Sequence, residues 1–348
     1  MTHTFLHSLR QKAAPVSSGV LAACMLVGTL ASAQPVHAAN PTYTVLGSAT
    51  LDASSLPVGV AVSGRYAYVV STVGDTFTVV DVKDRTAPVV VTTLALGAGT
   101  GPDAVKVVGN YAYVSEESAN SVAVVDISQP QNPHVVSSAQ GASEGIAING
   151  SYLYSATYDG YAVFDISNPL AISLVTTGSV GNPATANTLG LTVSGSYLYV
   201  TDLGNDTLTV LDITNGASPV QVSQLQLNSG SAPVDVLVNG GYAFVANQGS
   251  GSVDVVNVSN ASLPFRVTTI WLPAGGIPAR FEVAGNFLYI TDYAHNQVSV
   301  YKIANPAAPV FVTTIPVGTG PLGIVLKSGF GYVVNRVSHD LIIFEVNK

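Results

Sequence analysis

The strongest constraint on this chain is an aromatic residue that returns at nearly constant spacing. It stands at Tyr68, Tyr113, Tyr154, Tyr199, Phe244, Tyr289 and Tyr332, in steps of 45, 41, 45, 45, 45 and 43 residues. Four residues before each stands Gly64, Gly109, Gly150, Gly195, Gly240 or Gly285, with Ser328 in the last copy. Glycine suits the positive φ of a two-residue hairpin turn. A short apolar run precedes each turn, as at 58–62, 104–108 and 234–238. After the aromatic strand comes a polar loop, then a third strand ending in VVDV (79–82), VVDI (124–127), VFDI (163–166), VLDI (210–213), VVNV (255–258), VYKI (300–303) or IFEV (343–346). A proline-bearing turn then leads to a fourth strand, as at 88–96, 219–227 and 309–317. Four strands recurring every 40 to 45 residues is propeller-blade spacing. The fold expected is all-β: a seven-bladed β-propeller of four-stranded blades over residues 40–348.

The ends of the chain fit ring closure. The seventh copy stops after its third strand, while residues 42–51 (TYTVLGSATL) precede the first full unit and read as an unattached fourth strand. Pairing the two completes the last blade and removes open sheet edges. Composition agrees, with 47% hydrophobic and only 9% charged residues, rich in Val, Thr, Ser, Gly and Tyr.

Residues 1–39 read as a signal peptide: Arg10 and Lys12, an apolar run over 20–33, and small-residue cleavage motifs ending at Ala33 and Ala38. The run is too short for a membrane span. Cys24 ends a lipoprotein-like LAAC, but the apolar run continues through Met25, Leu26 and Val27, so a lipid anchor at Cys24 is set aside in favour of simple secretion. The expected location is extracytoplasmic. Cys24 is the sole cysteine, which excludes a disulfide within the fold. Without Arg10 and Lys12, 10 basic residues face 20 acidic ones, which argues against nucleic acid and anionic membranes as partners.

The unit at 109–135 resembles the LVIVD repeat family, and YVTD (199–202) and FVAN (244–247) are similar to the YVTN repeats of surface-layer-type propellers. The resemblance implies an exported, often surface-associated propeller without a shared catalytic set. The recurring Asp81, Asp126, Asp165 and Asp212 then read as strand-end carboxylates accepting backbone N–H bonds, and the anchor aromatics as packing between blades.

Function is therefore sought where the copies differ, in the loops around the central channel. Three residues after the anchor stand Ser71, Glu116, Thr157, Asp202, Asn247, Asp292 and Asn335; one further on stand Thr72, Glu117, Tyr158, Leu203, Gln248, Tyr293 and Arg336. On the entry side lie Asp103, Glu144, Asp235 and Arg280. One arc collects Asp103, Glu116, Glu117, Glu144, Asp159 and Asp202; the other collects Arg280, His295, Arg336 and His339. The candidate ligand-binding residues are Asp103, Glu116, Glu117, Glu144, Tyr158, Asp202, Arg280, Tyr293, His295 and Arg336. The structural alternative pairs Asp235 with Arg280 and Lys106 with Glu282 across the channel.

Two functions from different classes follow. The favoured one is a non-enzymatic, exported, monomeric interaction module for a protein or glycan, because the units are regular and their loops short. The other is a polysaccharide lyase or hydrolase over the channel, using His295, His339, Arg336 and Tyr293, or a Glu116 and Glu144 carboxylate pair. No cofactor is expected, a divalent cation such as calcium among the carboxylates being the exception considered. No thiol or histidine metal pattern, phosphate loop or nucleophile elbow is present.

Overall fold

Alternation along the recurring apolar runs dictates strands, and the glycine turns between them dictate hairpins. The computed structural model describes residues 40–347; the signal-peptide cleavage and lipidation sites lie outside them. Among the described residues, twenty-eight strands, β1 to β28 in chain order, form seven antiparallel four-stranded sheets within the unit Tyr43–Asn347. Six sheets use consecutive strands. The seventh has the order β1-β28-β27-β26, with β1 at Thr42–Thr50, β26 at Pro321–Lys327, β27 at Phe330–Asn335 and β28 at Asp340–Asn347. The N-terminal strand therefore supplies the outer strand of the last blade, as the sequence implied.

The anchor aromatics are the packing units between blades. All seven are at most 3% exposed. Three of their hydroxyls have side-chain or carbonyl partners: Tyr154 donates to the Gly216 carbonyl at 3.0 Å, Tyr332 accepts from Arg85 at 3.1 Å, and Tyr289 meets the Tyr43 hydroxyl at 3.4 Å. Strand-end carboxylates behave as expected: Asp126, Asp165 and Asp212 each accept the N–H two residues on, at 2.8, 2.8 and 2.7 Å. The same bonds hold these carboxyls below the usual carboxylate range, the neighbouring Ser or Thr contributing most.

The innermost strand of each blade lines the channel: β2 (Pro57–Ser63), β6 (Pro102–Val108), β10 (Ile146–Asn149), β14 (Thr188–Ser194), β18 (Pro233–Asn239), β22 (Pro278–Ala284) and β26. Nine residues before the anchors, these strands carry Gly59, Ala104, Gly145, Gly190, Asp235, Arg280 and Gly323. The glycines stand where neighbouring strands nearly touch. A Cβ on Gly190 would lie 2.5 Å from the Asp235 Cα, and one on Gly323 would lie 2.7 Å from the Val58 carbonyl oxygen. Six of the inner strands also slip register just here, for instance between Pro102 and Val105 and between Pro278 and Phe281. Such bulges re-aim side chains. Here they fall at Asp103 and Arg280, both of which line the channel.

Two outcomes check this account. Gly190→Ala, which forces backbone apart, lowers unfolding free energy by about 1–3 kcal/mol in a denaturant titration. Deleting residues 41–53 removes buried Ala49 and Leu51 and the edge-on contacts of Tyr43 with Tyr289 and Phe344. Tm then falls by about 4 °C or more by calorimetry, and an unchanged Tm contradicts ring closure by β1.

Candidate functional site

The loops above the channel present two rings of residues, and the structure gives them different work. The first ring ends the second strand of its blade and is folded into the scaffold. Asp202 and Asp292 are wholly buried and Glu116 is 4% exposed. The Asp202 Oδ1 accepts N–H bonds from Asn187 (2.9 Å), Gly204 (3.0 Å) and Asn205 (3.2 Å). The Asp292 Oδ1 accepts the Ile277 N–H at 3.0 Å, and Glu116 Oε2 accepts the Ser121 hydroxyl at 2.5 Å. The two aspartates tie a blade to the chain entering it, and Glu116 ties together the two ends of its own hairpin loop. Glu116 and Asp202 are therefore loop clasps, a correction to their candidacy as ligand groups.

The two histidines are held differently. His295 Nδ1 lies 2.7 Å from Asp292 Oδ2, which orients the ring while a third of the side chain stays exposed. His339 sits in the left-handed region at φ 54°, just before β28, and its Nδ1 meets the Ser55 carbonyl. The same turn position holds Asp75, whose carboxylate accepts the N–H groups of Gly99 and Gly101 at 2.7 Å, and Asn296, which accepts that of Gly320 at 3.0 Å. His339 is thus the blade-to-blade clasp between the last blade and the first.

The second ring and the bulged inner strands do converge. Glu144, 9% exposed, feels the charges of Asp103 and Glu117. This replaces the Glu116 and Glu144 pair expected from sequence, because Glu116 is turned to Ser121. The Tyr158 hydroxyl donates to Glu117 Oε1 at 3.5 Å. Arg336, 8% exposed, feels Tyr293, Asp103 and Glu117. Arg280 reaches from β22 to β6, placing Nη2 3.5 Å from Asp103 Oδ2, while its Nη1 donates to the Val234 carbonyl at 3.3 Å. The direct partner of Arg280 is therefore Asp103, with Asp235 adding a further attraction. Asp235 Oδ2 accepts the Phe281 N–H at 3.2 Å. Below the mouth the channel holds a cavity of about 160 Å³, lined among others by Asp103, Lys106, Asp235, Arg280 and Glu282.

Burial in this narrow space governs protonation. It raises Glu117 to about 7, reinforced by the Asp103 charge and opposed by Tyr158 and Arg336. It raises Glu144 well above the carboxylate range, with Asp103 and Glu117 adding to the effect. Tyr158 is pushed to about 12 by burial and by both glutamates. Deeper down, burial raises Glu282 to about 7 against the pull of Lys106. Burial also works against the charge of Arg280, yet Asp235, Asp103 and Glu144 outweigh it and hold the guanidinium more firmly protonated than usual. The result is two carboxyls held above the usual carboxylate range, beside a phenol and within the field of two arginines. That set can deprotonate a water, return a proton and steady a developing oxyanion. Among the described residues, no group of three His, Cys, Asp or Glu side chains is arranged to hold a metal ion, and no helix is long and apolar enough to cross a membrane.

A family model described as "Lactonase, 7-bladed beta-propeller" matches residues 131–348, and LVIVD repeats match residues 58–95 and 102–140. No curated protein sequence matches the chain. Among solved structures, a putative 6-phosphogluconolactonase from Bacteroides fragilis is 16% identical, with TM-score 0.67, 84% of this chain and 91% of that one covered. A periplasmic gluconolactonase from Pseudomonas aeruginosa is 19% identical, with TM-score 0.66 and coverage of 84% and 94%. A virginiamycin B lyase from Staphylococcus aureus is 12% identical, with TM-score 0.67 and coverage of 87% and 99%. At these identities the likeness is one of fold.

The clasp assignment has a direct consequence. Asp202→Ala strands the N–H groups of Asn187, Gly204 and Asn205 and lowers stability by about 2 kcal/mol or more in a denaturant titration. An unchanged stability contradicts the clasp.

Proposed function

The chain belongs to the seven-bladed β-propeller lactonase family, and on that premise we propose that it hydrolyses a small lactone at the channel mouth. The observation carrying this reading is the pair of burial-raised carboxyls, Glu117 and Glu144, gathered with Tyr158 and Arg336. The expectation of a non-enzymatic module rested on short, regular loops. Family membership together with carboxyls poised near neutral pH tips the balance to catalysis, since perturbed carboxyls cluster at catalytic sites. The lyase alternative drew on His295 and His339, of which His339 is engaged as a clasp.

In the proposed reaction, ionised Glu117 takes a proton from a water whose oxygen bonds to the lactone carbonyl carbon. Arg336 steadies the resulting oxyanion. The ring C–O bond then breaks, and protonated Glu144 gives its proton to the departing alkoxide. The product is a hydroxy acid, and the cycle closes when Glu117 gives up the proton it gained and Glu144 takes one up again. The signal-peptide character of residues 1–39 supports an extracytoplasmic site of action.

Acid release from glucono-1,5-lactone, corrected for spontaneous hydrolysis, tests the proposal. Because Glu117 must be ionised to act as base, kcat/KM rises as pH climbs through about 7 and falls again once Glu144 loses its proton. Glu117→Gln lowers kcat by about 100-fold or more without changing Tm. No acceleration by the wild-type protein on a panel of sugar lactones, or a Glu117→Gln variant as active as wild type, contradicts it.

A further inference from the structure

Antiparallel blades give the ring two ends. The chain enters each first strand and leaves each second strand at the mouth, so the turns joining first to second and third to fourth strands stand at the opposite end. The described cations divide between these ends. Lys106, Arg280 and Arg336 belong to the channel and its mouth. The other six, Arg65, Lys83, Arg85, Arg266, Lys302 and Lys327, all stand toward the far end, on the contiguous arc of blades five, six, seven and one. Four carboxylates share that arc. Asp81 holds Arg65 in an ion pair, buried Asp254 lies 3.8 Å from Arg266, Asp84 accepts the Thr86 N–H and hydroxyl, and Glu345 completes the set. Six positive charges against four negative leave the arc cationic. Arg85 stacks on Phe330, whereas Lys83, Lys302 and Lys327 are in no ion pair among the described residues. At the same end, blades two to four carry Asp126, Asp165 and Asp212 and no Lys or Arg, and the mouth loops carry Asp52, Asp75, Asp159 and Asp206.

Exposed apolar side chains collect on the same arc. Phe265 and Phe311, at the start of the fourth strands of blades five and six, are 54% and 53% exposed, and Leu263 and Val310 beside them are 71% and 60% exposed. Register brings the two rings to one seam. Phe265 stands opposite Asn257, on the side of blade five where Val255 packs; Phe311 stands opposite Tyr301, with the rings edge-on at 5.5 Å. Val255 and Tyr301 belong to the one core between blades five and six. The corresponding seam positions elsewhere hold smaller or polar pairs, such as Val89 with Val135 and Ser173 with Gln221. Cations adjoin the aromatic pair on both sides, Arg266 next to Phe265 in the chain and Lys302 opposite Val310.

We propose that this end of the propeller seats on an anionic lipid bilayer, with Lys83, Lys302 and Lys327 against headgroup phosphates and Phe265, Phe311 and Leu263 entering the interface. The net negative charge of the whole chain opposes such a partner only if it is spread evenly, and here the two ends differ in sign. A soluble polyanion would use the lysines and leave the phenyl rings in water, whereas a bilayer interface takes both. The acidic mouth is then turned away from the bilayer, open to solutes. The surface stands independently of the reaction at the mouth.

Co-sedimentation with vesicles tests it, using residues 40–348 so that the apolar run at 20–33 adds no lipid affinity. Vesicles of phosphatidylglycerol and phosphatidylcholine in equal parts are compared at low ionic strength with phosphatidylcholine alone. The protein partitions at least about tenfold more strongly onto the anionic vesicles, and Lys83→Glu/Lys302→Glu/Lys327→Glu lowers that partitioning about 100-fold or more. Phe265→Ser/Phe311→Ser lowers it about tenfold, both variants keeping the circular-dichroism spectrum of the unaltered protein. Should Phe311→Ser not fold, Leu263→Ser/Phe265→Ser carries the same expectation. Equal partitioning onto the two kinds of vesicle overturns the proposal. Anionic-vesicle binding that survives the lysine substitutions overturns it too, by putting the contact on another face. Binding lost with the lysines but kept without the phenyl rings rules out the bilayer and leaves a soluble polyanion as the occupant.

Discussion

Everything in this molecule hangs on how closely neighbouring inner strands approach around the channel. Where Gly59, Gly145, Gly190 and Gly323 stand, an added Cβ would meet backbone of the next blade at 2.5 to 2.7 Å. Backbone cannot swing aside as a flexible side chain can, so these positions have no tolerance for bulk. The ring is drawn tight by missing side chains. At the equivalent place in the fifth and sixth blades the chain instead carries Asp235 and Arg280. In those two blades charge replaces the tight approach, joining Asp103 and Lys106 of the second blade along the channel.

Once charges are confined there, burial decides the rest. A lone ionised group in such a space is costly, and the molecule meets that cost in two ways. Arg280 is neutralised by carboxylates from other blades, first Asp235 and then Asp103, the latter in direct contact at 3.5 Å. Glu117 and Glu144 instead meet it by titrating higher, burial raising both carboxyls. The first arrangement is static. The second leaves carboxyls able to take up or release a proton near neutral pH, beside the exposed Tyr158.

The fold was legible because every blade must solve the same packing problem and so repeats the same aromatic, glycine and strand-end acid. The site was legible in part. Glu117, Glu144, Tyr158, Arg280 and Arg336 stood out as departures from the repeat, and they do converge. Glu116 and Asp202 also stood out, but a column of Ser, Glu, Thr, Asp and Asn at the end of each second strand is the signature of side chains capping a loop. His339 was missed as a clasp although its column, Asp75, Asn120, Asp206, Gly251 and Asn296 in other blades, contains residues that tolerate positive φ. That column, read down all seven copies, would have removed it from the catalytic candidates. What no column could reveal is that Arg280 reaches Asp103 across four blades, since that distance depends on ring geometry.

The account thus joins a scaffold set by strand approach to a reactive pair set by burial, and its central claim is that burial and the Asp103 charge lift Glu117 to near neutral pH. Carbon-13 labelling of glutamate side chains and an NMR titration test it most directly, with the Glu117 resonance assigned by its loss in Glu117→Gln. The account predicts that the Glu117 carboxyl titrates near pH 7 and moves down toward the ordinary range when Asp103 is replaced by Asn. A Glu117 carboxyl that titrates near the ordinary value of about 4.3 in the unaltered protein contradicts it.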